Sequence, residues 1–224
     1  MKTAVVIAFE RLPLRQLGCY GRIPSLTPRL DRFAAESVVF DWHFAENVDG
    51  DAANHAWWTG RYQFPIPPAE QQQRPQTLLD ALAAAGIEIG GIEGGSRRSE
   101  GGGRKAGVGK SLEILHPPTS DLRSPTSNLR AIDEALGHLI ESLQARQRST
   151  GDELLIVVTA ATGARAAGSD ANPLPQDVRQ IAECSVHTPL IVHSSNGDGG
   201  LRQSSLVQSV DLAPTLLEWF GLSR

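Results

Sequence analysis

The run Thr3-Ala4-Val5-Val6-Ile7-Ala8-Phe9 carries no charge and no polar alternation. A strand that buries one face alternates apolar and polar residues. A strand that reads apolar throughout buries both faces, and so needs a layer of structure on each side. This single run therefore predicts a parallel or mixed sheet covered by helices. Glu10 and Arg11 follow it directly, at the carboxyl end, where open α/β sheets place their ligands.

The rest of the chain repeats the theme. Thr27 caps a helix with Pro28 at its first position, running to about Glu36 with Leu30, Phe33 and Ala34 on one face. Val38-Val39-Phe40 reads as a short second strand. Thr77 opens a helix over Leu78–Ala85, ended by Gly86. Ile87–Ile92 reads as a strand in which Gly90 and Gly91 suggest close backbone approach. Leu129, Ile132, Leu136, Leu139, Ile140 and Leu143 recur at helical spacing, which predicts an amphipathic helix from Asn128 to about Gln144. Leu154–Thr159 is a second fully apolar strand, and Pro189–Val192 is another. Val210-Asp211-Leu212-Ala213-Pro214 leads into a helix over Thr215–Phe220, closed by Gly221. Strands alternating with helices predict an α/β sandwich around a central, mostly parallel sheet. The 224 residues suit a single domain spanning 1–224.

Two stretches read as loops. Ala160–Asp177 is polar, and the Gly/Arg/Ser-rich segment 94–111 reads as flexible. Within the latter, Gly109-Lys110-Ser111 fails as a phosphate-binding loop. The pattern requires glycine where Arg104 stands, and no strand is expected to feed it.

Charge and cysteine content narrow the function classes. A net charge of −4 and a pI near 5.9 give no basic surplus for nucleic acid. No apolar span approaches the roughly 20 residues needed to cross a membrane, and no signal segment precedes the first strand. Cys19 and Cys184 lack metal-ligand spacing, which leads us to expect reduced, half-buried thiols in a cytoplasmic protein.

The chemistry should sit in Asn47–Tyr62, NVDGDAANHAWWTGRY. Asp51 reads as the N-cap of a short helix over about Ala52–Trp58, and Gly60 as its C-terminal stop. A helix N-terminus attracts anions through its free N–H groups and dipole. Here the chain's own carboxylate is expected to fill that position.

Six blocks in order resemble the sulfatases of the alkaline-phosphatase superfamily. They are Leu17-Gly18-Cys19-Tyr20-Gly21, Thr27 to Phe40, Trp58-Thr59-Gly60-Arg61-Tyr62, Thr77 to Leu82 with Gly86, Ala131-Ile132-Asp133 with Leu136-Gly137, and Val210 to Leu217. The resemblance implies the sulfatase-like sandwich, without the small C-terminal subdomain. It also implies a chemistry. A formylglycine nucleophile made from Cys or Ser stands before a helix, and a divalent cation is held by two Asp after the first strand and by Asp plus Asn or His after a later one. A Lys and a His complete the site.

Carried over position by position, that machinery is missing. The nucleophile position falls at Gly50, and the motif's Pro and Arg fall at Ala52 and Asn54. The paired Asp fall at Glu10 and Arg11, the later pair at Ala161 and Thr162, and the Lys and His at about Gly94 and Ser96. Of these, Glu10 alone retains a metal-binding side chain. A salt bridge from Glu10 to Arg11, Arg15 or Arg61 is its ordinary reading, because one carboxylate does not hold a hard cation.

The expectation is therefore a degenerate, pseudoenzyme-like chain that has lost sulfuric-ester hydrolysis and serves as a binding or assembly module. Its partner would be an unknown protein or a second copy, and it would need no cofactor. The alternative is an active metal-dependent sulfate or phosphate ester hydrolase with a rebuilt site. That site would draw on Glu10, Asp51, His55, His187 and His193, with calcium or magnesium as its cation. Trp57 and Trp58 read as core filler.

Overall fold

The computed structural model describes residues 1–62, 77–93, 96–98, 109–117, 125–164 and 182–222. Eight strands form one sheet in the order β4-β3-β5-β1-β6-β7-β2-β8. Strand β1 (Lys2–Arg11) lies at its centre, with β2 at Val38–Phe44, β3 at Glu88–Glu93, β4 at Ser96–Arg98, β5 at Lys110–His116, β6 at Glu153–Thr162, β7 at Leu190–Ser194 and β8 at Leu201–Gln208. Strands β3, β5, β1 and β6 are parallel. β7 runs antiparallel between β6 and β2, which returns β2 and β8 to the direction of β1. The sheet is thus mixed and mostly parallel, as the central run requires.

Period-two alternation divides β1 between two cores. Ala4, Val6 and Ala8 pack on one face with helices α2 (Gly50–Thr59), α3 (Leu78–Ala84) and α5 (Leu212–Trp219). Val5, Ile7 and Phe9 pack on the other with α1 (Pro28–Ala35) and α4 (Pro125–Thr150). Leu30, Phe33 and Ala34 are buried as the helical pattern predicts. Trp57 is 1% exposed in the first core, and the half-buried Trp58 meets it edge-on at 6.3 Å. Both therefore serve as core filler.

Helix α1 is capped from a distance. The Thr27 side chain makes no cap bond to its own helix; its hydroxyl accepts from the Gly18 amide and donates to Asp31. The free amides of Arg29 and Leu30 instead donate to the Asp133 carboxylate on α4, at 3.0 and 2.8 Å. Burial pushes that carboxyl's pKa up, against the two amides that stabilise its charged form.

Several expectations change. Strand β2 runs four residues past Phe40, and β6 extends through Thr162 into what reads as a loop. Strand β5 occupies Lys110–His116 beside β1, so a strand begins where none was expected. β4 places three residues of the supposedly flexible segment in the sheet. Gly90 and Gly91 need no special room: an added Cβ would meet its nearest atom at 3.8 Å, an ordinary contact. The remainder of the polar loop, 165–177, and most of 94–111, Gly94 included, lie outside the described residues.

Candidate functional site

Strands β1 and β6 form the centre of the sheet, and a ligand in such a sheet binds outside the carboxyl ends of its strands. The parallel ladder runs from Lys2↔Glu153 to Arg11↔Thr162. Beyond it the Leu12 amide donates to the Thr162 carbonyl at 3.2 Å, and the Thr162 hydroxyl donates to the Glu10 carbonyl, also at 3.2 Å. Ala161 and Thr162 are 0% and 3% exposed. One cannot ligate, and the hydroxyl of the other is already committed to backbone.

Glu10 and Arg11 both point into solvent. The salt bridge read for Glu10 is not formed, and among the described residues Glu10 makes no ion pair. Successive strand residues point to opposite faces, which separates Glu10 from Arg11. Arg15 turns instead to Glu183, at 4.0 Å.

Helix α2 packs on the same core as Ala161, and its cap is Asp49 rather than Asp51. The Asp49 side chain accepts from the Ala52 amide at 3.0 Å, while Asn47 accepts from the Asp49 amide at 2.9 Å. The helix begins at Gly50, two residues earlier than read, so the capping carboxylate must stand earlier too. Asp51 lies exposed in the first turn, where its charge favours the helix dipole. The broader inference stands: the chain's own carboxylates occupy the anion-binding end. Gly50 presents open space, since a Cβ there would meet nothing within 4 Å. Asn54 and His55 are half-buried on α2, and the His55 carbonyl accepts from Thr59. Gly60 ends the helix in the left-handed region at φ 62°.

The two remaining histidines are kept apart. β7 is antiparallel, so Leu190 faces Thr159 near the carboxyl edge and Ser194 faces Leu155 toward the other. His187 precedes the strand and reaches the carboxyl side, but it is buried in a structural role. Its Nε2 donates to the Asp41 carbonyl at 2.8 Å, and its Nδ1 lies 3.3 Å from Glu183. Its ring stacks on Phe44 at 4.7 Å and on Trp42 at 5.6 Å. His193 points elsewhere, its Nδ1 2.9 Å from the Glu36 carbonyl and its ring 5.6 Å from Phe33. Among the described residues no three His, Cys, Asp or Glu side chains are gathered to hold a metal ion. The residues present do not fit the divalent cation implied by the resemblance.

Sequence reading misses one feature of this edge. His116 ends β5 with its Nδ1 3.2 Å from the Ala8 carbonyl; the alternation Leu112-Glu113-Ile114 was the available signal. Cys19 and Cys184 are the free, half-buried thiols the sequence predicts, and burial with the charge of Asp31 pushes Cys19 up to about 12, which removes it as a nucleophile.

No family model matches the sequence, and no curated protein matches it significantly. Solved structures do match the fold. The PsFucS1 sulfatase from Pseudoalteromonas sp. superposes with a TM-score of 0.69 at 15% identity, over 99% of this chain and 68% of that one. A protein in the alkaline phosphatase superfamily from Vibrio parahaemolyticus gives 0.68 at 17%, over 99% of this chain and 66% of that one. The soluble domain of lipooligosaccharide phosphoethanolamine transferase A from Neisseria meningitidis gives 0.69 at 12%, over 100% and 90%. The architecture is therefore that of the sulfatases and the wider alkaline-phosphatase superfamily. A fold at this identity hosts more than one chemistry and does not itself assign one.

Proposed function

We propose that this chain is a sulfatase-fold protein without ester-hydrolase activity, working as a binding or assembly module. One observation carries the reading: the carboxyl ends of β1 and β6 present an exposed Arg11, a buried Ala161 and a buried Thr162 whose hydroxyl donates to the Glu10 carbonyl. A cation bound there would need carboxylates at these positions. The side chains instead supply a guanidinium, a methyl group and an occupied hydroxyl. Gly50 offers no nucleophile, and Asp49 and Asp51 place negative charge where a sulfate or phosphate ester would have to bind.

The partner under this reading is a protein, either another chain or a second copy. We place the protein in the cytoplasm, a reading supported by two free thiols and by the absence, among the described residues, of any helix long and apolar enough to cross a membrane.

The test is metal content by elemental mass spectrometry after exposure to calcium, magnesium, manganese and zinc, followed by turnover assays with aryl sulfate and aryl phosphate. The expected result is no stoichiometric metal and no turnover above the uncatalysed rate. One tightly bound ion per chain together with turnover would overturn the proposal.

A further inference from the structure

The turn between β7 and β8, Ser195-Asn196-Gly197-Asp198-Gly199-Gly200, carries the one Asn-Gly pair of the sequence. It lies at the end of the sheet opposite Arg11 and Thr162, since Ser194, the last residue of β7, faces Leu155 near the start of β6. Asn196 and Gly197 are exposed and belong to no strand or helix. Among the described residues the Asn196 side chain makes no hydrogen bond. Asn47 differs, because its side-chain oxygen accepts from the Asp49 amide, and Asn54 is half-buried on α2. A glycine after asparagine matters because it has no side chain to shield its amide nitrogen. The Gly197 amide donates to the Ser194 carbonyl at 3.1 Å, and this one bond must open before the nitrogen can react.

We propose that Asn196 is a site of spontaneous deamidation through a cyclic imide, with isoaspartate as the main product. The Gly197 amide gives its proton to hydroxide, and its nitrogen attacks the Asn196 side-chain carbonyl carbon. The N–Cγ bond forms, the Cγ–Nδ2 bond breaks, and ammonia leaves with a proton from water. Water then opens the imide. Attack at Cγ gives aspartate. Attack at the backbone carbonyl carbon, the more electrophilic of the two, breaks its bond to the Gly197 nitrogen and routes the chain through Cγ. The net reaction takes asparagine and water to an acid and ammonia, with no change of oxidation state. The isoaspartyl product adds one methylene to the backbone, and the turn has no slack to absorb it. Its ends are pinned: the Ser195 amide donates to the Leu154 carbonyl at 2.8 Å, and the Leu201 amide to the Ser37 carbonyl at 3.1 Å. Between them Gly199 lies so close to α1 that a Cβ there would collide with the Glu36 carbonyl oxygen. Isoaspartate at position 196 therefore loosens the turn from the end of α1 and from the start of β8. This chemistry is independent of whether the chain hydrolyses esters.

The test is peptide mapping by mass spectrometry on the full chain, incubated at mildly alkaline pH with and without enough urea to unfold it. The amide-to-acid mass gain should appear at Asn196 in the folded chain at a rate within about tenfold of the unfolded one, because one hydrogen bond has to open. A slower rate in the folded chain overturns the proposal, since reaction would then require unfolding. Gly197→Ala sets a methyl beside the nitrogen and should slow conversion in urea as well as in buffer. The added Cβ would meet the Ser194 Cβ at 3.2 Å, which a small shift of that side chain relieves. Conversion at the parent rate in Gly197→Ala overturns the imide route. Asn196→Asp carries the new charge without the extra methylene. It should unfold at the parent's urea midpoint, and the aged, isoaspartate-rich chain at a lower one. Equal midpoints for the aged chain and Asn196→Asp overturn the claim that the inserted methylene loosens the turn.

Discussion

Arg11 and Thr162 face each other as the last pair of the β1–β6 ladder, and the Thr162 hydroxyl reaches back to the carbonyl of Glu10. The bond closes the sheet at the point where its topology offers a ligand crevice. Thr162→Val should cost about 1 kcal/mol, the net worth of one hydrogen bond. Thr162→Asp returns a carboxylate to a position that is 3% exposed, with an unfriendly carbonyl beside it. It should cost roughly 3 kcal/mol and gain no metal. Urea unfolding followed by tryptophan fluorescence checks both, with calcium added to the second. Stabilisation of Thr162→Asp by calcium would mean that a cation site survives.

The cap of α2 gives a local contrast. Asp49 accepts from the Ala52 amide and Asp51 caps nothing. Asp49→Ala should therefore cost about 1 kcal/mol, while Asp51→Ala should cost only the few tenths due to the helix dipole. Equal costs in urea unfolding would count against this assignment.

His43 supplies the pH dependence. It is 3% exposed, its Nδ1 lies 2.8 Å from the Thr188 hydroxyl, and burial lowers its pKa from 6.5 to about 4. The folded state keeps the ring neutral while the unfolded chain protonates it, so the unfolded state binds more protons between these values. Its contribution is whole above pH 6.5 and is lost as pH falls toward 4, at about 1.4 kcal/mol per pH unit for one proton. Stability measured against pH should lose that slope in His43→Gln. An unchanged slope would assign the titration to another group.

The parts of the fold written in strong periodicity were legible. β1 and β6 read as strands because both faces are apolar, and α1 and α4 read as helices from their spacing. The failures have physical causes. β8 carries almost no apolar signal because it is an edge with its side chains in water. β5 hid behind glycines and Lys110, although it packs directly on β1. The site divided the same way. Gly50, Arg11 and Ala161 carry the proposal that the machinery is missing, because the side chains at those positions are visible in a sequence. The tertiary roles of His187 and His193 were not visible, since the antiparallel run of β7 sets them at opposite ends. The cap shifted to Asp49 because three candidate side chains, Asn47, Asp49 and Asp51, lie within five residues, and only backbone geometry selects among them.

Gly50 allows the sharpest separation of a lost nucleophile from a lost site. Its position begins α2, its φ is not in the left-handed region, and a Cβ there would meet nothing within 4 Å. Gly50→Ser should therefore be tolerated, with a gain of up to about 0.5 kcal/mol from reduced backbone freedom in a helical residue. The hydroxyl would then stand at the first residue of α2, where the resemblance puts the nucleophile. If only the nucleophile were missing, aryl phosphate turnover would emerge in Gly50→Ser or Gly50→Cys. We expect none. A serine needs a base or a cation to become nucleophilic, and the positions where the resemblance puts the cation ligands include an exposed guanidinium, a buried methyl and a hydroxyl bound to the Glu10 carbonyl. Unchanged folding with turnover still at the uncatalysed rate would locate the loss in the whole cation side of the site. Turnover that rises in Gly50→Ser and disappears with chelator would show that the chain still binds a metal by residues other than Arg11, Ala161 and Thr162.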